Sequence, residues 1–257
     1  MKLYIFGTCA GTEPIQGRHH TALALEINNR IYWFDAGESC SYTAHLMGVD
    51  LLAVSDIFIS HPHIDHVGGL GNLLWSARKL YRRSGKKPYF GDINVYMPNA
   101  DLFKSFISIL ENGEGDFQSE YKINEKIITD SSLLKNNDIE VIAHHNLHLP
   151  QRQNTWESFS FCINAENKKI VYSADVSDID DIKDFISDGC DILLVETGHH
   201  NSQEICKKIK EHNYPIAQLM FLHHGRAILA DYDGELKRCQ QIIPSVIFCN
   251  DGDVYDI

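Results

Sequence analysis

The chain has 257 residues, 44% of them hydrophobic and 23% charged, and carries a formal net charge of −12. That is enough apolar sequence for a large buried core in one α/β or sandwich domain. The acidic balance argues against wholesale nucleic-acid binding, because attraction to phosphates supplies the sequence-independent part of such affinity. No window is long and apolar enough to cross a bilayer, so no membrane association is expected.

The first residues, Met1 to Phe6, read as a strand (2–6) rather than as the basic-then-apolar layout of a signal peptide. Seven cysteines, Cys9, Cys40, Cys162, Cys190, Cys206, Cys239 and Cys249, are scattered, odd in number and free of C-x-x-C spacing. Neither a disulfide framework nor a zinc knuckle follows, and a reducing cytoplasm is the expected compartment. Further strands are predicted over 22–27, 31–35 and 56–60. A helix over 70–83 carries Leu73, Leu74, Ala77, Leu80 and Tyr81 as its apolar stripe, and its end merges into a basic run from Arg78 to Lys87. That run reads as a solvated helix end with cations near the negative pole of its dipole. A strand at 93–97 precedes a helix at 99–110 capped by Asn99. Residues 113–116 and 131–138 read as loops. Strands at 139–147, 158–163, 169–173, 191–195, 217–222 and 245–249 alternate with helices at 178–187, 201–212 and 232–242. No linker or repeat divides the chain, so a single domain over 1–257 is expected.

The stretch His61-Pro62-His63-Ile64-Asp65-His66 lies between the apolar run ending at Ser60 and the turn at Gly68-Gly69. Three imidazoles and one carboxylate spaced in this way can bind two adjacent cations. Ligands on a turn at the end of a buried strand are held by the sheet, which fixes the geometry of a metal. Imidazole nitrogen suits zinc, iron or manganese, and the carboxylate adds negative charge for a second ion. The plain alternative is a His-rich surface turn.

This H-x-H-x-D-H pattern resembles the metallo-β-lactamase superfamily. Other motifs continue the resemblance nearly end to end. Gly7-Thr8, Gly11 to Pro14 and Asp35-Ala36-Gly37 are similar to the superfamily's opening strands and D-x-G turn. Val141 to His148 has the V-x-A-x-x-x-x-H form of the ribonuclease Z and phosphodiesterase branch. Ser173-Ala174-Asp175 is similar to its S-G-D motif, with Ala in place of Gly. Asp191 to Glu196 is similar to its D-x-L-x-x-E strand, Phe221-Leu222-His223 to its L-T-H turn, and Asp251-Gly252 to its terminal D-G.

The resemblance implies a four-layer αβ/βα sandwich and two divalent metal ions, zinc or alternatively manganese or iron. It assigns the first ion to His61, His63 and His148 and the second to Asp65, His66 and His223, with Asp175 bridging. His144 or His145 stays open as an alternative to His148, and His224 as one to His223. Strand alternation would put His144 and His148 on one face, with His148 at the strand end. The two ions would share a water of lowered pKa, and the resulting hydroxide would be the nucleophile. Asp65 would also orient that oxygen. His200, in an element loosely similar to the H-S-T of ribonuclease Z, is the candidate partner of the leaving group. His19, His20 and His199 are candidate substrate contacts, and Glu196 a candidate support for a ligand or for His200.

Departures from the family narrow the substrate. Ribonuclease Z carries a long transfer-RNA-gripping arm between its third metal histidine and its bridging aspartate, whereas only 26 residues (149–174) occupy that interval here. β-CASP nucleases need an inserted domain that does not fit, and flavodiiron proteins have Glu where this chain has His63. A phosphodiesterase acting on small phosphodiesters is therefore expected, as a homo-oligomer. The alternatives are a ribonuclease Z-like nuclease, a lactone or thioester hydrolase, and a non-catalytic metal-binding or nucleic-acid-binding module.

Overall fold

The computed structural model describes residues 1–117 and 121–257. The strands are β1 (Lys2–Gly7), β2 (Ala22–Ile27), β3 (Arg30–Phe34), β4 (Val54–Phe58), β5 (Ile93–Met97), β6 (Ile123–Ile127), β7 (Ser131–Lys135), β8 (Ile139–His145), β9 (Phe159–Ala165), β10 (Lys168–Tyr172), β11 (Cys190–Thr197), β12 (Ile216–His224), β13 (Ile247–Phe248) and β14 (Val254–Asp256). The α-helices are α1 (Cys40–Leu46), α2 (Ile64–Val67), α3 (Leu70–Ser84), α4 (Ala100–Glu114), α5 (Lys183–Ile186), α6 (Ser202–Glu211), α7 (Arg226–Ala230) and α8 (Tyr232–Gln240). None of them is long and apolar enough to cross a membrane. The chain forms two compact units, one of Met1–Gly7, Ile15–Ile128 and Asp251–Ile257, the other of Thr8–Pro14 and Thr129–Asn250.

The first unit holds a seven-stranded sheet in the order β14-β1-β2-β3-β4-β5-β6. Pairing is antiparallel from β14 to β3 and parallel from β3 to β6. Strands β1 to β5 are buried along most of their length, which explains why they read as apolar runs rather than as alternating patterns. One sheet face, with Tyr4, Phe6, Ala24, Trp33 and Val95, packs against Ala44 of α1, Leu70, Leu73, Leu74 and Ala77 of α3, and Phe103 and Ile107 of α4. Helix α3 ends at Gly85, whose φ of 70° permits the left-handed C-terminal turn. Asn99 caps α4 as expected, its side chain accepting from the N–H groups of Asp101 and Leu102.

The basic run is less exposed than its sequence suggests. Arg78 is fully buried, donates to the Asp116 carbonyl at 2.8 Å and lies over the Phe117 ring, and Lys79 pairs with Glu114 at 2.8 Å. Helix α4 reaches Glu114, past the expected end at 110 and into the segment 113–116 read as a loop.

The second unit holds another seven-stranded sheet, β13-β12-β11-β10-β9-β8-β7, antiparallel from β7 to β10 and parallel from β10 to β13. Val171, Leu193, Val195, Leu219 and Phe221 pack against Ile205 and Ile209 of α6 and Cys239 of α8. Residues 131–138 are not simply a loop, because Ser131–Lys135 forms the edge strand β7. The expected helix at 178–187 is a 3-10 turn, Ile179–Ile182, followed by the single turn of α5. Strand β8 stops at His145 rather than 147, so His148 lies beyond the strand. Asn146 ends the ladder, since its N–H donates to the Ser158 carbonyl and its side-chain oxygen accepts from the His148 N–H.

Candidate functional site

In the first unit, the donor groups sit on the turn after β4. The buried carboxylate of Asp35, which follows β3, organises them. Its Oδ1 accepts from the Ser60 N–H at 2.7 Å, and its Oδ2 accepts from the Ser60 hydroxyl and from His66 Nδ1, both at 2.8 Å. Ser60 has only one hydroxyl proton and donates it to Asp35, so its oxygen accepts from His61 Nδ1 at 3.0 Å. Both rings are thereby set with the proton on Nδ1 and a lone pair on Nε2, the tautomer that ligates metals.

The rings of His61 and His66 lie 4.1 Å apart, those of His61 and His63 4.7 Å, and His66 Nε2 is 3.7 Å from Asp65 Oδ2. Two donors each about 2.0–2.1 Å from one tetrahedral ion are separated by roughly 3.3 Å. The donor atoms of Asp65 and His66 approach that spacing.

Gly37 explains the D-x-G turn. A Cβ there would sit 2.6 Å from the His20 carbonyl oxygen and 2.7 Å from that of Asp65, so only glycine lets both segments close in. His19 is anchored to Asp251, whose Oδ2 accepts from its N–H at 2.6 Å and from Nδ1 at 3.2 Å. His20 Nδ1 lies 4.0 Å from Glu38 Oε1.

In the second unit, Asp175 is the centre and is 1% exposed. Its Oδ1 is 3.3 Å from His223 Nε2, while its Oδ2 is 3.7 Å from both His148 Nε2 and His199 Nδ1. Both Ala174 (φ 50°) and His223 (φ 52°) adopt left-handed backbone to present these groups. Ala174 thus occupies a conformation that glycine adopts without strain, which accounts for the Gly of the S-G-D pattern. A Cβ on Gly198 would come within 2.6 Å of the His223 ring, so the loop after β11 also relies on a glycine.

Neighbouring histidines have other partners. His224 is buried, with Nε2 2.9 Å from the Cys249 carbonyl and Nδ1 3.1 Å from Thr197 Oγ1. His145 pairs with Asp130 at 2.6 Å and stacks on Trp156 at 4.2 Å, and His144 Nδ1 donates to the His145 carbonyl at 2.9 Å. Glu196, 1% exposed, accepts from the His199 N–H at 2.8 Å and from its Nδ1 at 3.1 Å. The ring of His200 turns to the main chain, with Nε2 donating to the Val176 carbonyl at 2.8 Å. Asp175, His199 and His223 thus form one cluster, whereas His200 stands beside it.

All seven cysteines are buried thiols. Burial pushes the thiols of Cys40 and Cys190 up to about 12 and that of Cys162 to about 11, which keeps them protonated and inert. Sequence reasoning assigned no role to Asp35 or Ser60. Their signals were an aspartate closing an apolar strand and a serine directly before the first histidine.

Solved structures place this architecture in a known class. A metallo-β-lactamase fold protein of Bacillus subtilis, YhfI, matches over 99% of this chain and 98% of its own, with a TM-score of 0.76 and 18% identity. The short form of human tRNase Z matches over 100% and 99%, with a TM-score of 0.71 and 19% identity. The fold is that of the metallo-β-lactamase superfamily, as the motifs implied. A family model, described as anti-Pycsar protein Apyc1, matches residues 1–240, and the chain belongs to that family. Among curated relatives, a protein named ribonuclease Z from Methanococcus maripaludis is 33% identical over 151 residues, 58% of this chain but only 46% of the relative. A ribonuclease Z of Picrophilus torridus is 26% identical over 233 residues, 75% of this chain and 72% of its own.

Proposed function

We propose that the protein is a metal-dependent hydrolase that cleaves small phosphodiesters. The observation that carries this reading is the pair of imidazoles fixed by Asp35 and Ser60 with Nε2 lone pairs, a set prepared for a transition metal rather than for proton transfer. One ion is assigned to His61, His63 and His148 and the other to Asp65, His66 and His223, with Asp175 shared. That assignment follows the order of motifs.

When bound, the ions supply a water of lowered pKa and a positive field for charge developing on the phosphoryl oxygens. Asp65 orients the attacking water while holding its ion. His199, fixed by Glu196 and facing Asp175, is assigned as partner of the departing oxygen in place of His200. Small substrates are favoured over transfer RNA because the interval 149–174 holds only a tight turn at Arg152 and Thr155 and the β9–β10 hairpin. The burial of Arg78 and the pairing of Lys79 further reduce the basic run available to RNA.

The test is to load the protein with zinc or manganese and offer bis-p-nitrophenyl phosphate, a lactone, a thioester, a β-lactam and a precursor transfer RNA. The phosphodiester should be the preferred substrate. Efficient cutting of the RNA at its 3′ end would establish the nuclease reading suggested by the names of the relatives. His199→Ala should slow phosphodiesters with poor leaving groups by about 10²–10⁴-fold and p-nitrophenyl esters far less, because a good leaving group needs no proton. His200→Ala should show no such dependence.

A further inference from the structure

We infer that Asn146 and Asp181 are positioning residues that set the distance between His148 and Asp175. His148 follows β8 and Asp175 follows β10, so neither is fixed by a ladder of its own strand, and their separation depends on how two loops are tied. Two connections tie them, both inside the second unit.

The first is buried. The Asn146 side chain accepts from the His148 N–H at 3.2 Å and donates to Ser160 Oγ at 3.0 Å. Ser160 Oγ donates in turn to the Ser173 carbonyl at 2.6 Å, one peptide before the left-handed Ala174 and two before Asp175. Ser173 Oγ accepts from the Glu196 N–H at 3.2 Å, which carries the connection to the strand that bears His199's support. Asn146, Ser160 and Ser173 are at most 1% exposed, so no water is needed to complete this chain.

The second lies nearer the surface. Asp181 Oδ2 accepts from the Leu147 N–H at 3.1 Å and from the Ser177 N–H at 2.8 Å. Leu147 immediately precedes His148 and Ser177 is two residues after Asp175, so one oxygen atom clamps both loops. The clamp is itself anchored, because Ile179 and Ile182 of the same 3-10 turn are buried in the core under α6. No sequence motif marks either residue.

The inference rests on the metal reading above. The apo protein should be titrated with Co²⁺ and followed by visible absorption, with a competing chelator to measure affinity. Asp181→Ala should weaken the uptake of one ion by about 10- to 100-fold and alter its absorption band, while the melting temperature of the apo protein changes little. Asp181→Asn should restore most of the affinity, since its amide oxygen can accept from both N–H groups. Asn146→Ala should lose affinity in the same way, with a lower melting temperature because buried partners are stranded. If wild type loads and Asp181→Ala loads with equal affinity and spectrum, the inference is overturned alone. A wild type that takes up no cobalt overturns it together with the metal reading.

Discussion

The two units follow the same strand logic and place their functional groups differently. Each sheet runs through three antiparallel pairings and then three parallel ones. The first unit gathers His61, His63, Asp65 and His66 on one turn after a single strand, and one carboxylate, Asp35, orders two of the rings. The second unit spreads His148, Asp175 and His223 over the ends of β8, β10 and β12, where pairwise ties replace a single organiser. A compact motif can be set by local hydrogen bonds, whereas a dispersed set depends on the sheet and on the loops between its strands.

The largest expected effect tests the dispersed half. Asp175→Ala should abolish loading of at least one ion and reduce hydrolysis of bis-p-nitrophenyl phosphate by at least about 10²-fold, since its two oxygens face different imidazoles. Elemental analysis that still finds two ions per chain, with near-normal turnover, would move the bridging role elsewhere.

An intermediate effect is expected for Asp35→Asn in the compact half. Oδ2 faces two donors, the Ser60 hydroxyl and His66 Nδ1, and an amide nitrogen in its place cannot accept from either. Rotating the amide turns the same nitrogen toward the Ser60 N–H instead. Inversion of the His66 tautomer relieves this clash of donors, but it places a proton on Nε2 and opposes ligation. Metal affinity should fall about 10- to 100-fold. Equal affinity in wild type and Asp35→Asn, measured by chelator competition, would show that the tautomers are set by the ions rather than by the protein.

The same contrast explains what could be read in the sequence. The compact motif is visible because its candidate ligands share six consecutive residues behind an apolar strand. For the dispersed set, strand alternation was a poor guide to His148, because Asn146 ends β8 before that residue. His199 and His200 could not be told apart in the sequence, since both follow β11 and only their partners in space separate them. Central strands and long helices were legible from apolar runs and caps. Of the edge strands, β13 lies within the apolar run at 245–249, but β7 and β14 were not legible, because they carry Ser, Lys and Asp on exposed positions and their pairing depends on a neighbour distant in sequence or on a hairpin without a Gly signal.

The smallest expected effect concerns backbone strain. Left-handed backbone appears at Asp35 (φ 53°) in the first unit and at Ala174 and His223 in the second. Aspartate tolerates that region better than alanine does. Ala174→Gly should relieve about 1–2 kcal/mol of strain in the folded state. Against this stand about 0.4–1 kcal/mol of added freedom in the unfolded chain and about 0.8 kcal/mol for a lost buried methyl. The net change should lie within about 1 kcal/mol of zero. Ala143→Gly, at a buried site in β8 with no positive φ, provides the reference and should destabilise by roughly 1–2 kcal/mol. Urea denaturation of both variants separates the contributions, because the methyl and the unfolded-chain entropy are common to both and only the strain differs. If the two variants lose equal stability, Ala174 is not held in the left-handed region, and the turn that presents Asp175 is built in some other way.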